Sequence, residues 1–411
     1  MHTKSEKIYL NMILNNSKYY VANSLKDIIR SLFKRKKNKK ILEKIKKLVK
    51  SKNIILTNFG RSALYLILMN LKKETNKNEV LVCSYNYNEV INMIIYANLK
   101  PVFYDLNENS LDASIINIKK NISKKTLAVI ITHFNGFNKS TKDIKNITKN
   151  KKITLIEDCA ISLNTQNKIT KVSNYGDYSF YSMNFTKNLS SITGGIIKSN
   201  KKNIFNIKKK NIFTEKIFLD NFKNYLTLFV LKILLYKYLY FIIYYLTKSE
   251  YKPLRFILSP FYKQNIHHRI PGYYLNNLTG INLNLLSTSF KYLKKDNILR
   301  IKNNKYYNKL LIKKKTILKL IPENNLNLIT LEFPILFKKE LYKKEFLRNV
   351  KKNKLDIRKN YYVNCSNLSY LKKYKKLNMK NSKLIEKNLV CLPNNPTINK
   401  FIIEKFDSLI K

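Results

Sequence analysis

The stretch that decides the fold is residues 153–197. It opens as ITLIEDCA (153–160), passes through a polar loop, and resumes as NYGDYSFYSMNFTKNLSSITGGII (174–197). Residues 153–156 are a short apolar run ending on two carboxylates, Glu157 and Asp158. Such a run between polar segments suits a buried strand. A carboxylate at the C-terminal end of a parallel strand lies where open α/β sheets bind ligands. The following YSFYSMNFTKN alternates, is rich in aromatics and carries one lysine, Lys187. Gly194 and Gly195 then precede a further apolar run.

A strand-end acid and an isolated lysine in an aromatic segment are the groups that pyridoxal phosphate chemistry needs. The acid keeps the pyridinium nitrogen protonated, so that the ring can draw electrons; the lysine bonds the aldehyde carbon and later moves protons. The plainer alternative is an aspartate that caps a helix and one surface lysine among many. With 80 Lys and Arg in 411 residues, that alternative carries weight on spacing alone.

The wording shifts the balance. IEDCAISLN, GDYSFYSMNFTKN and TGG resemble the DegT/DnrJ/EryC1/StrS family of PLP-dependent sugar aminotransferases. Members carry a segment like IEDCAQSLG, then GDFSFYSF, then TKN before a glycine pair. The likeness runs strongly over about residues 50–200 and weakly over 270–405. It implies an α/β fold: a fold-type-I large domain on a mixed, mostly parallel sheet, with a small C-terminal α+β domain. It also implies a homodimer with active sites at the subunit interface. The family's position for a serine hydroxyl on the cofactor phosphate falls on Ser182. Ile161 departs from the pattern, because the family has Gln or His there, near the ring oxygen, and isoleucine cannot make that hydrogen bond. Some members replace the lysine with histidine and act as dehydrases; the presence of Lys187 argues for amine transfer.

Upstream, IILTNFGRSALYLILMNL (54–71) reads as a strand, a glycine turn and a helix. A glycine turn into a helix presents free amides and a positive dipole end, a seat for phosphate. Most such turns only cap helices. In the resemblance, GRSAL occupies the phosphate-holding position, so Gly60, Arg61 and Ser62 are candidates, mainly through backbone amides and the Ser62 hydroxyl. VLVCSYNYNEVINMIIYANLKPVFYDL (80–106) reads as a βαβ unit. Tyr87 aligns with the family's ring that stacks on the cofactor, against the alternative of one of 29 tyrosines packing locally. TLAVIITHFNG (126–136) is a further buried strand. His133 at its end is either a ligand contact or a histidine bonded to a neighbouring loop.

Composition bounds the rest. The formal charge is +55, which alone points to a polyanion such as nucleic acid or an anionic membrane. The lysines are scattered, and Asn, Lys, Ile and Tyr are abundant while Trp is absent. That reads as drift toward A/T-rich codons, with attraction of anionic nucleotide sugars and lipids as a consequence. Four dispersed cysteines make neither a zinc nor a disulfide framework and fit a reducing cytoplasm. The N-terminal residues show no signal-peptide core.

Four regions are expected: a basic helical segment (1–50), the cofactor-binding domain (51–200), a basic and apolar helical insertion (201–270), and an interface helix with the small domain (271–411). The insertion contains YLTLFVLKILLYKYLYFIIYYL (225–246), long enough to cross a bilayer. Lys232 and Lys237 near its middle are costly in lipid. Burial against the protein, peripheral attachment through residues 217–246, and spanning all fit, with spanning ranked last. Asn276 and Asn277 stand where the family places substrate contacts, or they simply cap the next helix. DIRKNYY (356–362) echoes a family motif that puts Arg358 near an anionic group of substrate.

The expected function is transfer of an amino group, by family habit from L-glutamate, to a keto sugar carried on a nucleotide, for amino sugars of surface polysaccharide. The alternatives are a differently reacting, dehydratase-like or non-catalytic member, and a basic membrane-surface protein without chemistry.

Overall fold

The computed structural model describes residues 17, 20–33, 38–136, 139–163, 172–200, 225–226, 228–230, 232–233, 270–318, 320, 327–358, 362–374 and 378–411. The described chain opens with helices α1 (Leu25–Phe33) and α2 (Asn38–Val49), then β1 (Ile54–Thr57) and α3 (Gly60–Lys73). It continues through β2 (Glu79–Cys83), β3 (Tyr85–Asn86), α4 (Asn88–Tyr96), β4 (Lys100–Tyr104) and α5 (Ile115–Asn121). Next come β5 (Thr126–Thr132), α6 (Thr141–Asn150), β6 (Thr154–Asp158), β7 (Tyr178–Ser182) and β8 (Gly195–Ser199).

The large sheet has seven strands in the order β1-β8-β7-β6-β5-β2-β4. β8 runs antiparallel to both neighbours, and the remaining pairs are parallel. Helices cover both faces, so the strands bury both faces and read as unbroken apolar runs. In β5 (TLAVIIT) every residue is buried. The polar ends of these runs are therefore informative. β5, β6 and β7 lie side by side and end, at one edge, on Thr132, Asp158 and Ser182. β1 is parallel to β7 through β8, so the turn into α3 opens at that same edge.

Gly195 is the tight spot. It pairs with Thr57 on one side and Ser182 on the other. A Cβ there would fall on the Phe59 carbonyl and the Thr57 hydroxyl, closer than real Cβ contacts come. Gly195→Ala is expected to destabilise by about 1–3 kcal/mol through overpacking against backbone. Gly272→Ala, where a Cβ meets nothing within 4 Å, is the control. Equal urea midpoints for the two variants would overturn this.

After residue 270 the chain forms the long α7 (Gly280–Leu311), β9 (Ile317–Leu318), β10 (Glu332–Phe337), α8 (Glu340–Lys352), β11 (Val363–Asn364), α9 (Lys380–Asn388), β12 (Leu389–Pro393) and α10 (Lys400–Ser408). β12, β10 and β9 make a three-stranded antiparallel sheet with its own core, including Phe333, Phe337, Phe346 and Phe406. β11 instead pairs with β3, tying this part of the chain to the large sheet's edge. At the start of the chain, Ile41, Ile45 and Val49 of α2 pack with Leu283 and Leu286 of α7.

Part of residues 217–246 is described. Residues 225–226, 228–230 and 232–233 are helical. Tyr225 and Leu228 are buried with Val21, Ile28, Ile192 and Leu285. Lys232 donates to the Val21 carbonyl at 2.8 Å. This lysine is thus satisfied inside the protein; Tyr225 and Leu228 pack inward, while Leu226 and Val230 face outward. Lys237 and the rest of that segment lie outside the described residues. Among the described residues, no helix is long and apolar enough to cross a membrane.

Candidate active site

Asp158 is 4% exposed at the end of β6. The Ala160 amide donates to its Oδ1 at 3.0 Å. Burial pushes its carboxyl up to about 6; the Ala160 amide, the charges of Lys187 and His133, and the Thr132 hydroxyl all pull the other way. Lys187 lies half-buried in the loop between β7 and β8. The turn that carries it is pinned by Asn184, whose Oδ1 accepts from the Thr186 amide at 2.9 Å and hydroxyl at 2.7 Å, while the Lys187 amide reaches the Asn184 carbonyl at 3.0 Å. The fold thus brings the expected acid and lysine within electrostatic reach of each other.

Ser182 ends β7 against the start of α3. A Cβ on Gly60 would stand 3.1 Å from the Ser182 Cβ and 3.0 Å from the Tyr181 carbonyl. Glycine therefore lets the helix start touch the strand end. The preceding Phe59 is extended and its side chain caps nothing, so the first-turn amides of α3 receive no side-chain acceptor from it. Uncapped first-turn amides favour an anion, and Ser182 stands beside them.

Two expectations change here. The Ser62 hydroxyl donates to the Tyr274 carbonyl at 2.5 Å, because Ser62 is fully buried on the inner face of α3. Its single proton is committed there, leaving only its backbone amide for a phosphate. The Arg61 guanidinium lies over the Phe59 and Tyr274 rings, 4.7 and 4.2 Å from their centroids, with Glu89 at 3.8 Å. It stacks and pairs within the protein.

Tyr87 is 45% exposed and precedes α4. Its amide donates to Asn86 Oδ1 at 2.8 Å. Asn276 is buried, and Asn277 is exposed. Neither caps α7: Thr279 does, accepting from the Asn282 amide at 3.4 Å. The Asn276 Oδ1 has no hydrogen-bond partner among the described residues. Arg358 pairs with Glu332, Nε to Oε1 at 2.7 Å. It lines a small cleft together with Ile161, Thr186, Asn135 and Tyr362. Ile161 and Arg358 therefore share one cleft with the residue next to Lys187.

His133 serves the scaffold. Its Nε2 meets Glu157 Oε2 at 2.7 Å, and the same carboxylate accepts from the amides of Ser173, Tyr175 and Gly176 at 2.8, 2.9 and 2.5 Å. His133, Glu157 and Cys159 are close enough to share a metal ion, but each Glu157 oxygen already accepts two donors. Those donors hold the Glu157 carboxyl below its usual range despite burial, the largest single influence, which pushes the other way. A depressed carboxyl contributes stability that is complete above about pH 4.5 and is lost as pH falls through its folded value. Glu157→Gln is expected to cost about 3 kcal/mol at neutral pH, since an NH₂ would face a donor. Denaturant midpoints check this; a loss below about 1 kcal/mol would overturn it.

The fold is the α/β architecture of PLP fold type I. Solved structures share the fold over nearly the whole chain. Helicobacter pylori PseC, an aminotransferase of pseudaminic acid biosynthesis, matches with a TM-score of 0.66 at 15% identity, covering 100% of this chain and 96% of that one. Escherichia coli GDP-4-keto-6-deoxy-D-mannose-3-dehydratase with bound hydrated PLP matches at 0.70 and 18%, covering 96% and 99%. The chain belongs to the DegT/DnrJ/EryC1/StrS aminotransferase family, whose model matches residues 19–214 and 256–405. Among curated relatives, GDP-perosamine synthase of Vibrio cholerae is 32% identical over 152 residues, 37% of this chain and 41% of that protein. The enzyme of that name from Escherichia coli O157:H7 is 29% identical over 146 residues, 36% and 40%. The matched stretches thus span about two fifths of those relatives.

Proposed function

We propose that this chain is a PLP-dependent aminotransferase that moves an amino group, from L-glutamate, onto a nucleotide-linked keto sugar. The observation that carries the reading is the meeting of a buried acid, Asp158, with Lys187 at the sheet edge where the α3 amides and Ser182 form an anion seat. Pyridoxal phosphate bound there supplies an electron sink for the carbon that gains or loses the amine. Asp158 holds the ring nitrogen's proton. The α3 amides with Ser182 hold the phosphate, and Tyr87 offers a ring face. Lys187 Nζ takes a proton from the substrate carbon and returns it on the other side of the transfer. The cleft by Ile161 and Arg358 is where the sugar nucleotide would lie, its diphosphate drawn by the basic protein. Retention of the lysine favours amine transfer over the dehydration named for one structural neighbour.

We also infer a homodimer acting in the cytoplasm, where the four free buried cysteines stay reduced, and a product destined for surface polysaccharide. The outward Leu226 and Val230 beside a strongly basic chain support attachment to an anionic membrane face. Co-sedimentation with phosphatidylserine vesicles tests the attachment.

The functional test mixes purified protein with PLP, then with L-glutamate, then with a panel of nucleotide-linked keto sugars. Expected are a visible absorbance band, its bleaching by glutamate, and its return with one sugar class as amino sugar forms. A band that never bleaches with any amino donor would sink the transaminase reading.

A further inference from the structure

Asp158 has a neighbour whose side chain the resemblance does not explain. Thr132 ends β5, and the parallel register sets it directly beside Asp158 on β6. Thr132 is 2% exposed, and its hydroxyl lies close enough to the Asp158 carboxylate to favour the charged form. A hydroxyl has one proton, so something must fix its direction. Asn86 Nδ2 does so, donating to Thr132 Oγ1 at 3.1 Å. The Asn86 amide cannot be reversed, since its Oδ1 accepts the Tyr87 amide. An Nδ2 group only donates, so Thr132 accepts there and its own proton is left for Asp158.

Asn86 is itself fully buried and held from the far end of the chain. Its backbone pairs with Val363 of β11, and its carbonyl accepts the Cys365 thiol at 3.4 Å. Asn86 therefore joins three features: the Tyr87 ring, the strand-end acid, and the β11 segment.

We propose that Asn86 and Thr132 are positioning residues that keep the Asp158 carboxylate ionised and aimed into the site. The inference rests on the cofactor reading above for its purpose, but not for its geometry. A hydrogen bond to the charged form of a buried acid favours that form. The other groups acting on this carboxylate are the Ala160 amide, the Lys187 ammonium and His133, the last already paired with Glu157; Cys159 and Tyr104 also lie within electrostatic range. Thr132 and the Ala160 amide are the uncharged donors among them, so removing the Thr132 hydroxyl leaves one.

The test uses Thr132→Val, which keeps shape and loses the hydroxyl, Thr132→Ser, which keeps the hydroxyl, and Asn86→Ala, which frees its direction. The first readout needs no cofactor: carbon-13 titration of the Asp158 carboxyl. Thr132→Val is expected to raise its midpoint by about one pH unit, Asn86→Ala by less, and Thr132→Ser to restore it. The second is PLP affinity against pH. The acid-side loss of affinity should begin about one unit higher in Thr132→Val, with affinity at pH 7 down about twofold. The third is the nitrogen-15 shift of ring-labelled PLP, which should move toward the unprotonated nitrogen as the proton passes to Asp158. If Thr132→Val leaves the Asp158 midpoint unchanged, the proposal is wrong whatever the cofactor does. If the midpoint moves but wild type binds no PLP, the positioning stands and the cofactor reading falls.

Discussion

Replacing Lys187 with alanine is expected to abolish the visible absorbance of the protein with PLP and to cut turnover by at least about a thousand-fold, with little change in stability. The chain is crowded with lysines, which makes the prediction sharp. Lys187 is the lysine whose charge acts on Asp158. Lys198, the nearby lysine on β8, is 3% exposed and turned away, donating to the Ser173 carbonyl at 2.6 Å and its hydroxyl at 3.1 Å. A lysine bonded to a carbonyl behind the sheet cannot take over work at its edge. Lys187 is half-buried in a loop whose turn is closed by Asn184, so alanine leaves that turn intact. A stability change within about 0.5 kcal/mol follows. Spectra with added PLP, a glutamate half-reaction and a denaturant curve on one preparation check all three points. A surviving band bleached by glutamate would mean that another amine does the chemistry.

What could be read from the chain differs from what could not by the reach of the interaction. The sheet was legible because buried parallel strands are unbroken apolar runs, and Asp158 because it is the polar residue ending one of them. By that logic Thr132 was legible too, since TLAVIIT ends on a polar residue at the register of Asp158. A rule that inspected the last residue of every buried strand would have found it. Side-chain direction was not legible. The Ser62 hydroxyl was expected to face a phosphate, yet its partner is the carbonyl of Tyr274, 212 residues away. Arg61 is drawn to the same distant segment by the Tyr274 ring. Lys232 looked costly because its acceptor, the Val21 carbonyl, is 211 residues earlier. Asn276 and Asn277 were weighed as caps, but capping depends on where the helix starts, and Thr279 holds that place. Each of these depends on a contact or a boundary that spacing does not encode.

Asp158→Asn should separate function from stability, moving them in opposite directions. Burial raises the Asp158 carboxyl from an ordinary 3.8 to about 6. A folded state with the higher value binds the proton more tightly than the unfolded chain does. Stability of the cofactor-free protein therefore falls as pH rises from about 4 to about 6, and at pH 7 the ionised, buried carboxylate is a net cost. Two units correspond to roughly 3 kcal/mol as an upper figure. Asparagine removes that cost while its Oδ1 still accepts the Ala160 amide. The cofactor-free variant is expected to unfold at higher urea than wild type at pH 7, by up to roughly 3 kcal/mol, and to match it below about pH 3, where the wild-type acid is protonated in both states. Glu157, whose carboxyl is shifted the other way, is unchanged by the substitution and so cancels from the comparison. Turnover should fall by about a hundred- to a thousand-fold, because a neutral amide cannot hold a proton on the ring nitrogen. The two measurements together are diagnostic. An acid kept only for structure would give a variant that is less stable at pH 7, whereas an acid held ionised against its burial for the sake of a bound cation gives a variant that is steadier and inactive.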